Sequence, residues 1–535
     1  MVRRALASGP MLLVWVLLCA AGFVYVRSDA NFLEPNFGTS AKNVGIQIMC
    51  FLSTLALAFW LLVQKWSWRT RLLCLLVPAS FWLVLFGSAR RIGFNGNNEL
   101  VIEYRWEPTP EQRLAAEGLL PANPADMTKL AALSPDLLEG AECLGFLGPG
   151  RDGYVDATEL AGDDGLDRPK ERWRLPAGGG YASFAIRGNV AVTIEQRGPQ
   201  EVVVAHDLRD GSTLWQLAYP ALFSETMGGD GPRATPTIAG QTVYALGATG
   251  VLQSIDLLSG KVLWSANILA DAQAENIEWG MSGSPLVTEQ WVIVNPGGKT
   301  GKGLAAYDRQ TGKRAWAQGD DAAAYASPVL ATIDGVDQVI VQSASRLSGF
   351  DLATGKELWQ TPFSPMNGIA VGQPLALPGS RVFTSASYGA GCKMIQLSRT
   401  DADWKVETLW ENKNLRCKFS SPIHVEGSIY GLDDGILACL DAQTGKRLWK
   451  KGRYGHGQML YAAGKLFIQA ETGEFVIVRA NPQKHEEIAR WTALPGIKNW
   501  NAPALAGRTL LVRNHFEMAC YTFPAGPATA LSDLR

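Results

Sequence analysis

Few side chains in this 535-residue chain stand at spacings that chemistry would use. Asp433 and Asp434 are adjacent carboxylates, a pair that could share a proton or a cation, but they fall in a turn between two strand-like runs, where capping the turn is the expected job. The segment GRDGYVDATEL at 150–160, set on a Ca²⁺-loop pattern, brings Asp152, Gly153, Asp156 and Glu159 into register. Its first and third ligand positions are then Gly148 and Gly150, and two absent oxygens with no flanking helix make the match a coincidence. The five histidines are scattered, with His206, His424, His485 and His515 in or beside ordinary strand patterns, so no metal cluster is expected. Eight other residues suit recognition better than catalysis: Arg233, Trp279, Tyr325, Gln373, His456, Gln458, Trp500 and Asn501. Aromatic faces, a guanidinium and amides in a concave site would hold a polar ligand or a peptide. The alternative is that they fill the space and satisfy one another.

What would gather residues so far apart is a repeat. A motif of the form D-x-x-T-G-K-x-L-W ends at Trp215, Trp264, Trp316, Trp359 and Trp449, and degenerate copies end at Trp173, Trp410 and Trp491. These eight tryptophans span 318 residues in seven intervals of about 45. Each interval holds four runs rich in Val, Ile, Thr and Tyr, separated by Gly and Asp turns, as in ATPTIAG, QTVYALGAT, GVLQSIDLLSG and KVLWSANI. A period near 45 built from four strands predicts a β-propeller. In the motif, Asp starts a hairpin turn, Gly takes the left-handed position, and Trp comes down on the outer strand to pack between neighbouring sheets.

A second periodic residue marks the opposite edge of each blade. Pro236, Pro285, Pro328, Pro374, Pro422 and Pro503 sit in the first strand of their repeats, and proline is confined largely to edges because it cannot donate to a ladder. The innermost strand of a blade is such an edge, facing the central channel. The eight recognition candidates fall in this strand or just before it, at the channel mouth; His456 and Gln458 occupy the regular repeat where the proline is replaced. A channel-facing Arg233 would need a partner, an anion or water. After Trp491 only three strands remain, and ERWRLP at 171–176 supplies the fourth, closing a ring of eight blades.

These repeats closely resemble the quinoprotein, or PQQ-binding-like, propeller repeat over about residues 145–524. FLGPGRDG (146–153), GPRATPT (231–237), WGMSGSPLV (279–287), CKFSSP (417–422), YGLDDG (430–435) and RYGHGQ (453–458) are similar to a bacterial subgroup of such proteins that carries a membrane anchor. The family includes pyrroloquinoline-quinone dehydrogenases and a lipoprotein of the outer-membrane barrel assembly machinery, so the resemblance implies a scaffold and not one function. A dehydrogenase of this family needs Glu, Asn and Asp oxygens on a Ca²⁺, an Asp base, a Trp floor under the quinone and often vicinal cysteines. No adjacent Cys-Cys pair is present, and the Ca²⁺-ligand motifs are not found at matching positions. No cofactor is therefore expected, PQQ with Ca²⁺ being the alternative.

The ends of the chain set the compartment. Three apolar runs without charged residues, 10–26, 44–64 and 72–87, are of spanning or near-spanning length, which predicts three transmembrane helices. Arg3, Arg4, Lys65, Arg69 and Arg71 favour a cytoplasmic N-terminus and an extracytoplasmic propeller in a bacterial inner membrane, with Arg90 and Arg91 weighing the other way. A net charge of −1 gives no argument for nucleic acid. Cys392 and Cys417, 25 residues apart, are either a disulfide, permitted in an oxidising compartment, or two buried thiols. The expected organisation is an anchor at 1–90, a connector with short helices and a strap at 91–168, an eight-bladed all-β propeller at 169–525 and a tail at 526–535. The expected function is a membrane-anchored extracytoplasmic binding or scaffold protein, without catalysis, for a small ligand or a protein partner. The alternatives are a membrane-bound PQQ-dependent oxidoreductase and a partner in envelope protein assembly.

Overall fold

The computed structural model describes residues 15, 17, 48–49, 51–60, 65–97, 100–119, 133–160, 162–167, 169–400, 403–496 and 498–524. They form two compact units, 1–108 with 226–228, and 109–225 with 229–535. In the first, the helix Trp68–Gly87 is followed by an antiparallel hairpin of Ala89–Phe94 with Leu100–Tyr104, in which Arg90 pairs with Glu103 at 3.2 Å. Among the described residues no helix is long and apolar enough to cross a membrane. Of the three runs expected to span, 10–26 is described only at Trp15 and Leu17, 44–64 only at 48–49 and 51–60, and 72–87 lies within Trp68–Gly87.

The second unit is the propeller. Its blades are antiparallel sheets at 185–220, 237–267, 286–318, 329–362, 375–412, 423–453 and 458–492, and an eighth at 504–522. Lys170–Pro176 is the outer strand of blade eight, pairing Trp173 with Cys520 and Leu175 with Met518, so the first strand of the ring completes the last blade as expected. Blade one gains a fifth strand, Glu142–Cys143, on its inner edge. First strands of neighbouring blades touch one another, which places them around the axis.

The motif locks most blades to the next by two contacts. Asp308 Oδ1 accepts from Thr311 N–H at 2.7 Å, and Asp441 Oδ1 from Thr444 N–H at 2.7 Å, fixing a turn whose glycine has positive φ. That glycine is the floor on which the previous blade's tryptophan lies: a Cβ on Gly312 would stand 2.5 Å from the Trp264 ring, and one on Gly445 2.5 Å from the Trp410 ring. The indole N–H then donates to the carbonyl of the residue after the Asp, as in Trp215 to Leu257 (2.8 Å), Trp264 to Arg309 (2.9 Å) and Trp410 to Ala442 (3.2 Å). A tryptophan buried to this degree contributes roughly 4 kcal/mol by area alone. Trp359 differs because blade five lacks the motif turn; its indole donates to Gln338 of its own blade at 2.7 Å. The tryptophans are mortar, as their spacing predicts.

The prolines stand one residue before the first paired residue of each inner strand, and not within it: Thr237, Leu286, Val329, Leu375, Ile423 and Ala504 begin the ladders. Proline fixes the residue before it in extended backbone. That residue turns out to carry the ring's inner belt.

Candidate functional site

The belt runs from blade to blade through the residues that precede the prolines. Ser183 N–H donates to Thr235 Oγ1 (2.9 Å), Thr235 N–H to Ser284 Oγ (2.9 Å), Ser284 N–H to Ser327 Oγ (2.8 Å), Ser327 N–H to Gln373 Oε1 (2.6 Å) and Gln373 N–H to Ser421 Oγ (3.2 Å). Gln458 Nε2 donates to Phe419 O at 2.6 Å and Asn501 Nδ2 to Ala182 O at 2.8 Å, continuing the belt around the later blades. Inner-edge N–H groups that would otherwise be bare are thereby satisfied. Three of the eight recognition candidates, Gln373, Gln458 and Asn501, are belt members. Each keeps one buried amide atom with no protein partner: Gln373 Nε2, Gln458 Oε1 and Asn501 Oδ1.

One end of the channel is closed by the segment 145–157. Arg151, held at φ 56°, is 5% exposed and its guanidinium takes the carbonyls of Ser284 (2.9 Å), Pro285 and Pro328 (3.2 Å) and the hydroxyl of Thr237 (3.2 Å). Three blades are thus tied by one side chain. Burial pulls its pKa down to about 9, still leaving it charged at neutral pH. Tyr154 O–H donates to His424 O at 2.7 Å and Val155 N–H to Tyr461 O at 3.0 Å, extending the strap across blades six and seven. The carboxylates of the Ca²⁺-loop pattern are engaged locally, Asp152 with Tyr154 N–H (3.1 Å) and Glu159 with Arg508 (2.9 Å).

The other end is a wreath of rings and cations, most of them half-buried. Arg233 lies 5.6 Å from the centroid of Tyr181 and 4.6 Å from that of Phe223, and its N–H groups take the carbonyls of Gly231 and Gly229 (2.8 Å). Tyr181 meets Trp500 at 5.1 Å, Trp500 meets Phe419 at 4.8 Å, and Lys418 Nζ sits 5.4 Å from Phe419 and 5.6 Å from Tyr388. Tyr388 is within electrostatic reach of Tyr325, and Tyr325 of Arg233. Trp279 packs on Tyr325 at 5.6 Å, and Lys498 Nζ lies 5.4 Å from the Trp500 ring. Cation–ring contacts of this kind hold both partners in place at little cost in solvation.

Beneath the wreath, Glu471 is 2% exposed and joins two of its members: Oε1 accepts from Trp500 Nε1 at 2.8 Å and Oε2 from His456 N–H at 3.0 Å. Burial drives the His456 imidazole well below its usual range, with Lys418 and Arg453 nearby adding to the shift, so it is neutral at physiological pH. Burial also lowers Arg233 to about 10 and Lys418 below its ordinary value, and raises Tyr325 to about 12.

The sequence-derived candidates therefore divide. Arg233, Trp279, Tyr325, His456 and Trp500 belong to the mouth, and the three amides to the belt. Tyr181, Tyr388, Lys418, Phe419, Glu471, Lys498 and the plug Arg151 were not among them. A signal for some was present: Arg233, Tyr325, Phe419 and Trp500 each stand three residues before the repeat's proline, and Tyr181 three before Phe184, which fills the same place.

One expectation is corrected and one open alternative is decided. Asp433 does not cap a turn; fully buried, it holds Arg416 (2.8 Å), Arg447 (3.0 Å) and Lys450 (2.7 Å), while Asp434 takes Ser387 O–H (2.7 Å) and Arg416 (3.1 Å). A buried carboxylate needs such pairing, and three cations supply it. Cys392 and Cys417 are separate buried thiols and not a disulfide; Cys392 Sγ donates to Asn412 Oδ1 at 3.2 Å, and burial raises both thiols to about 12.

Residues 199–451 match the family model described as outer membrane protein assembly factor BamB. A protein of that name from Burkholderia pseudomallei (strain K96243) is 25% identical over 320 residues, covering 52% of this chain and 81% of its own length. Among solved structures, a quinohemoprotein alcohol dehydrogenase from Comamonas testosteroni superposes with a TM-score of 0.50 at 13% identity, covering 77% of this chain and 84% of that one. Quinohemoprotein alcohol dehydrogenase ADHIIG from Pseudomonas putida HK5 does so with a TM-score of 0.52 at 14% identity, covering 75% and 84%. At these identities the two enzymes share a fold with this chain and nothing more is implied.

Proposed function

We propose that this chain, a propeller of PQQ-binding-like repeats, is a membrane-anchored extracytoplasmic binding or scaffold protein without catalysis of its own, whose ligand or partner meets the open channel mouth. The observation that carries this reading is the asymmetry of the channel. One end is plugged by Arg151, while the other presents half-buried rings and cations from most of the blades. Concave sites rich in Trp, Tyr and Arg are where binding energy concentrates. The uncharged apolar runs at 10–26, 44–64 and 72–87 support anchoring in a bacterial inner membrane with the propeller periplasmic.

A PQQ-dependent dehydrogenase would need hard oxygens around Ca²⁺ beside the quinone. The mouth's buried carboxylate, Glu471, is engaged with Trp500 and His456, and among the described residues no three His, Cys, Asp or Glu are grouped to hold a metal ion. These residues do not fit that ion. The test is dye-linked oxidation of alcohols and sugars by the purified full chain given PQQ and Ca²⁺. No turnover is expected, and stoichiometric binding with turnover would sink the non-catalytic reading.

The match to the assembly-factor model favours a second reading, a partner in envelope protein assembly. A photoreactive residue in place of Tyr325, irradiated in cells, would capture outer-membrane assembly components if this is so. Failure to recover them would count against it.

A further inference from the structure

The anchored reading requires a bilayer, and the first unit carries a surface made for one. The hairpin after the helix Trp68–Gly87 runs out through Ala89–Phe94 and back through Leu100–Tyr104. Its return leg ends where it began. Tyr104 pairs with Ala89, Arg105 N–H donates to Ser88 O at 3.0 Å, and Arg105 Nε donates to Ala89 O at 3.4 Å. A tight turn follows, in which Glu107 N–H donates to Tyr104 O (3.1 Å) and Tyr104 N–H to Glu107 Oε2 (3.0 Å). Arg90 Nη1 holds the turn from the outgoing strand by donating to Glu107 O at 2.6 Å. Arg105 and Trp106 form its tip. Two residues far downstream of Gly87 in the chain therefore stand at the C-terminal end of the helix.

The tip is amphipathic. Trp106 is 67% exposed and lies flat against Tyr104, with centroids 4.5 Å apart and planes 6° from parallel. Stacking on one face fixes the indole while most of its surface points outward. Arg105 is exposed beside it, and the neighbouring carboxylates are engaged, Glu103 by Arg90 at 3.2 Å and Glu107 by the Tyr104 N–H. The other end of the helix repeats the combination: Trp68 is 69% exposed, with the Arg69 guanidinium 5.6 Å from its ring. Twenty helical residues rise about 30 Å, close to the thickness of a hydrocarbon core. One exposed tryptophan needs no explanation. Two, each beside an arginine, at the two ends of a helix whose run 72–87 has no charged residue, match the two faces of a bilayer. Tryptophan and tyrosine collect where hydrocarbon gives way to headgroups, and a guanidinium there meets phosphate. A protein partner would cover an exposed indole but gives no reason for the pair to recur at that spacing.

We infer that the turn Tyr104–Glu107 is a membrane-interface anchor: the Trp106–Tyr104 stack lies in the phospholipid headgroup layer and Arg105 meets lipid phosphate. The inference rests on the anchored reading, in which 72–87 is embedded.

The test uses the full-length chain in vesicles of phosphatidylethanolamine and phosphatidylglycerol, with photoreactive benzoylphenylalanine placed singly at Leu83, Asn97 or Trp106. Leu83 is an exposed residue of the helix, and Asn97 lies in the hairpin's far turn. Irradiation and mass spectrometry then count lipid adducts at each position. Adducts are expected at Leu83 and Trp106, and about tenfold fewer at Asn97. Arg105→Glu should cut the adduct at position 106 about fivefold and Arg105→Lys should retain it, in protein whose thermal melt is unchanged. Lipid captured at Leu83 but not at Trp106, or captured equally at Asn97 and Trp106, would overturn the inference and leave the anchored reading standing. An adduct at position 106 indifferent to Arg105→Glu would overturn the assignment of Arg105 to phosphate. No adduct at any of the three, with the chain washed from the vesicles by alkali, would remove the anchored reading itself and the inference with it.

Discussion

The two ends of the channel each carry an arginine, buried in Arg151 and half-buried in Arg233, and the two do opposite work. Arg151 ends among four oxygens of three blades, at or just before the start of their inner strands. Arg233 ends between two ring faces and two carbonyls of its own loop. The first arrangement ties distant parts of the ring and leaves nothing for a ligand. The second is local and costs the ring little if removed, and it keeps an aromatic surface half open to solvent. The same side chain becomes a rivet or part of a binding surface according to whether its partners belong to one loop or to several blades.

The largest effect should come from Arg151→Ala, which removes the donor shared by buried carbonyls of blades three and four and by the Thr237 hydroxyl of blade two. A loss of about 3 kcal/mol or more is expected, read as a fall in Tm of several degrees with cooperativity reduced. An unchanged melt would mean that the strap is ornamental and the two ends are alike. Arg233→Ala should cost about 1 kcal/mol, since its carbonyl partners lie in a half-exposed loop that water can reach. Its larger consequence should be on capture or ligand binding at the mouth. A Tm loss matching that of Arg151→Ala would erase the contrast.

A smaller effect separates the ends by pH. His456 is held neutral by burial, its folded pKa depressed below the ordinary 6.5. Above that value both states are neutral and nothing is gained or lost. As pH falls below 6.5 the unfolded chain binds the proton and the folded one does not, so stability declines until the folded pKa is reached, by up to about 1.4 kcal/mol per pH unit. His206, lowered to about 4 by burial, acts in the same direction from within blade one. His456→Gln should therefore make the melt less sensitive between pH 6.5 and 5 without abolishing the slope. An identical slope in variant and parent would show that His456 titrates normally and that the mouth is wetter than its packing indicates.

Much of the ring could be read directly from the chain. Trp215, Trp264 and Trp410 fall at one period because each must reach the turn glycine of the next blade, so the contact is local in the repeat even though it is distant in sequence. Closure by Lys170–Pro176 followed from counting strands. The mouth was legible only in part. Arg233, Tyr325 and Trp500 stand out against a background of small residues, but Glu471 lies just past an ordinary strand run and joins the site only because Trp500 arrives from the next blade and His456 from the lead into its own blade's inner strand. Arg151 likewise sits in a glycine-rich loop whose carbonyl partners are more than a hundred residues away. The pairing state of Cys392 and Cys417 was left open by spacing, and packing decided it.

By itself, then, the sequence determined the number of blades, the strand that closes the ring, and the edge of each blade that faces the axis. Those depend on periodicity and on what proline, glycine and tryptophan can do locally. Only the tertiary structure decided that one end of the channel is sealed and the other lined with rings and cations, and which amide atoms stay unpartnered between them. Those outcomes depend on the angular positions of eight blades around a common axis, which no stretch of chain shorter than the whole ring encodes.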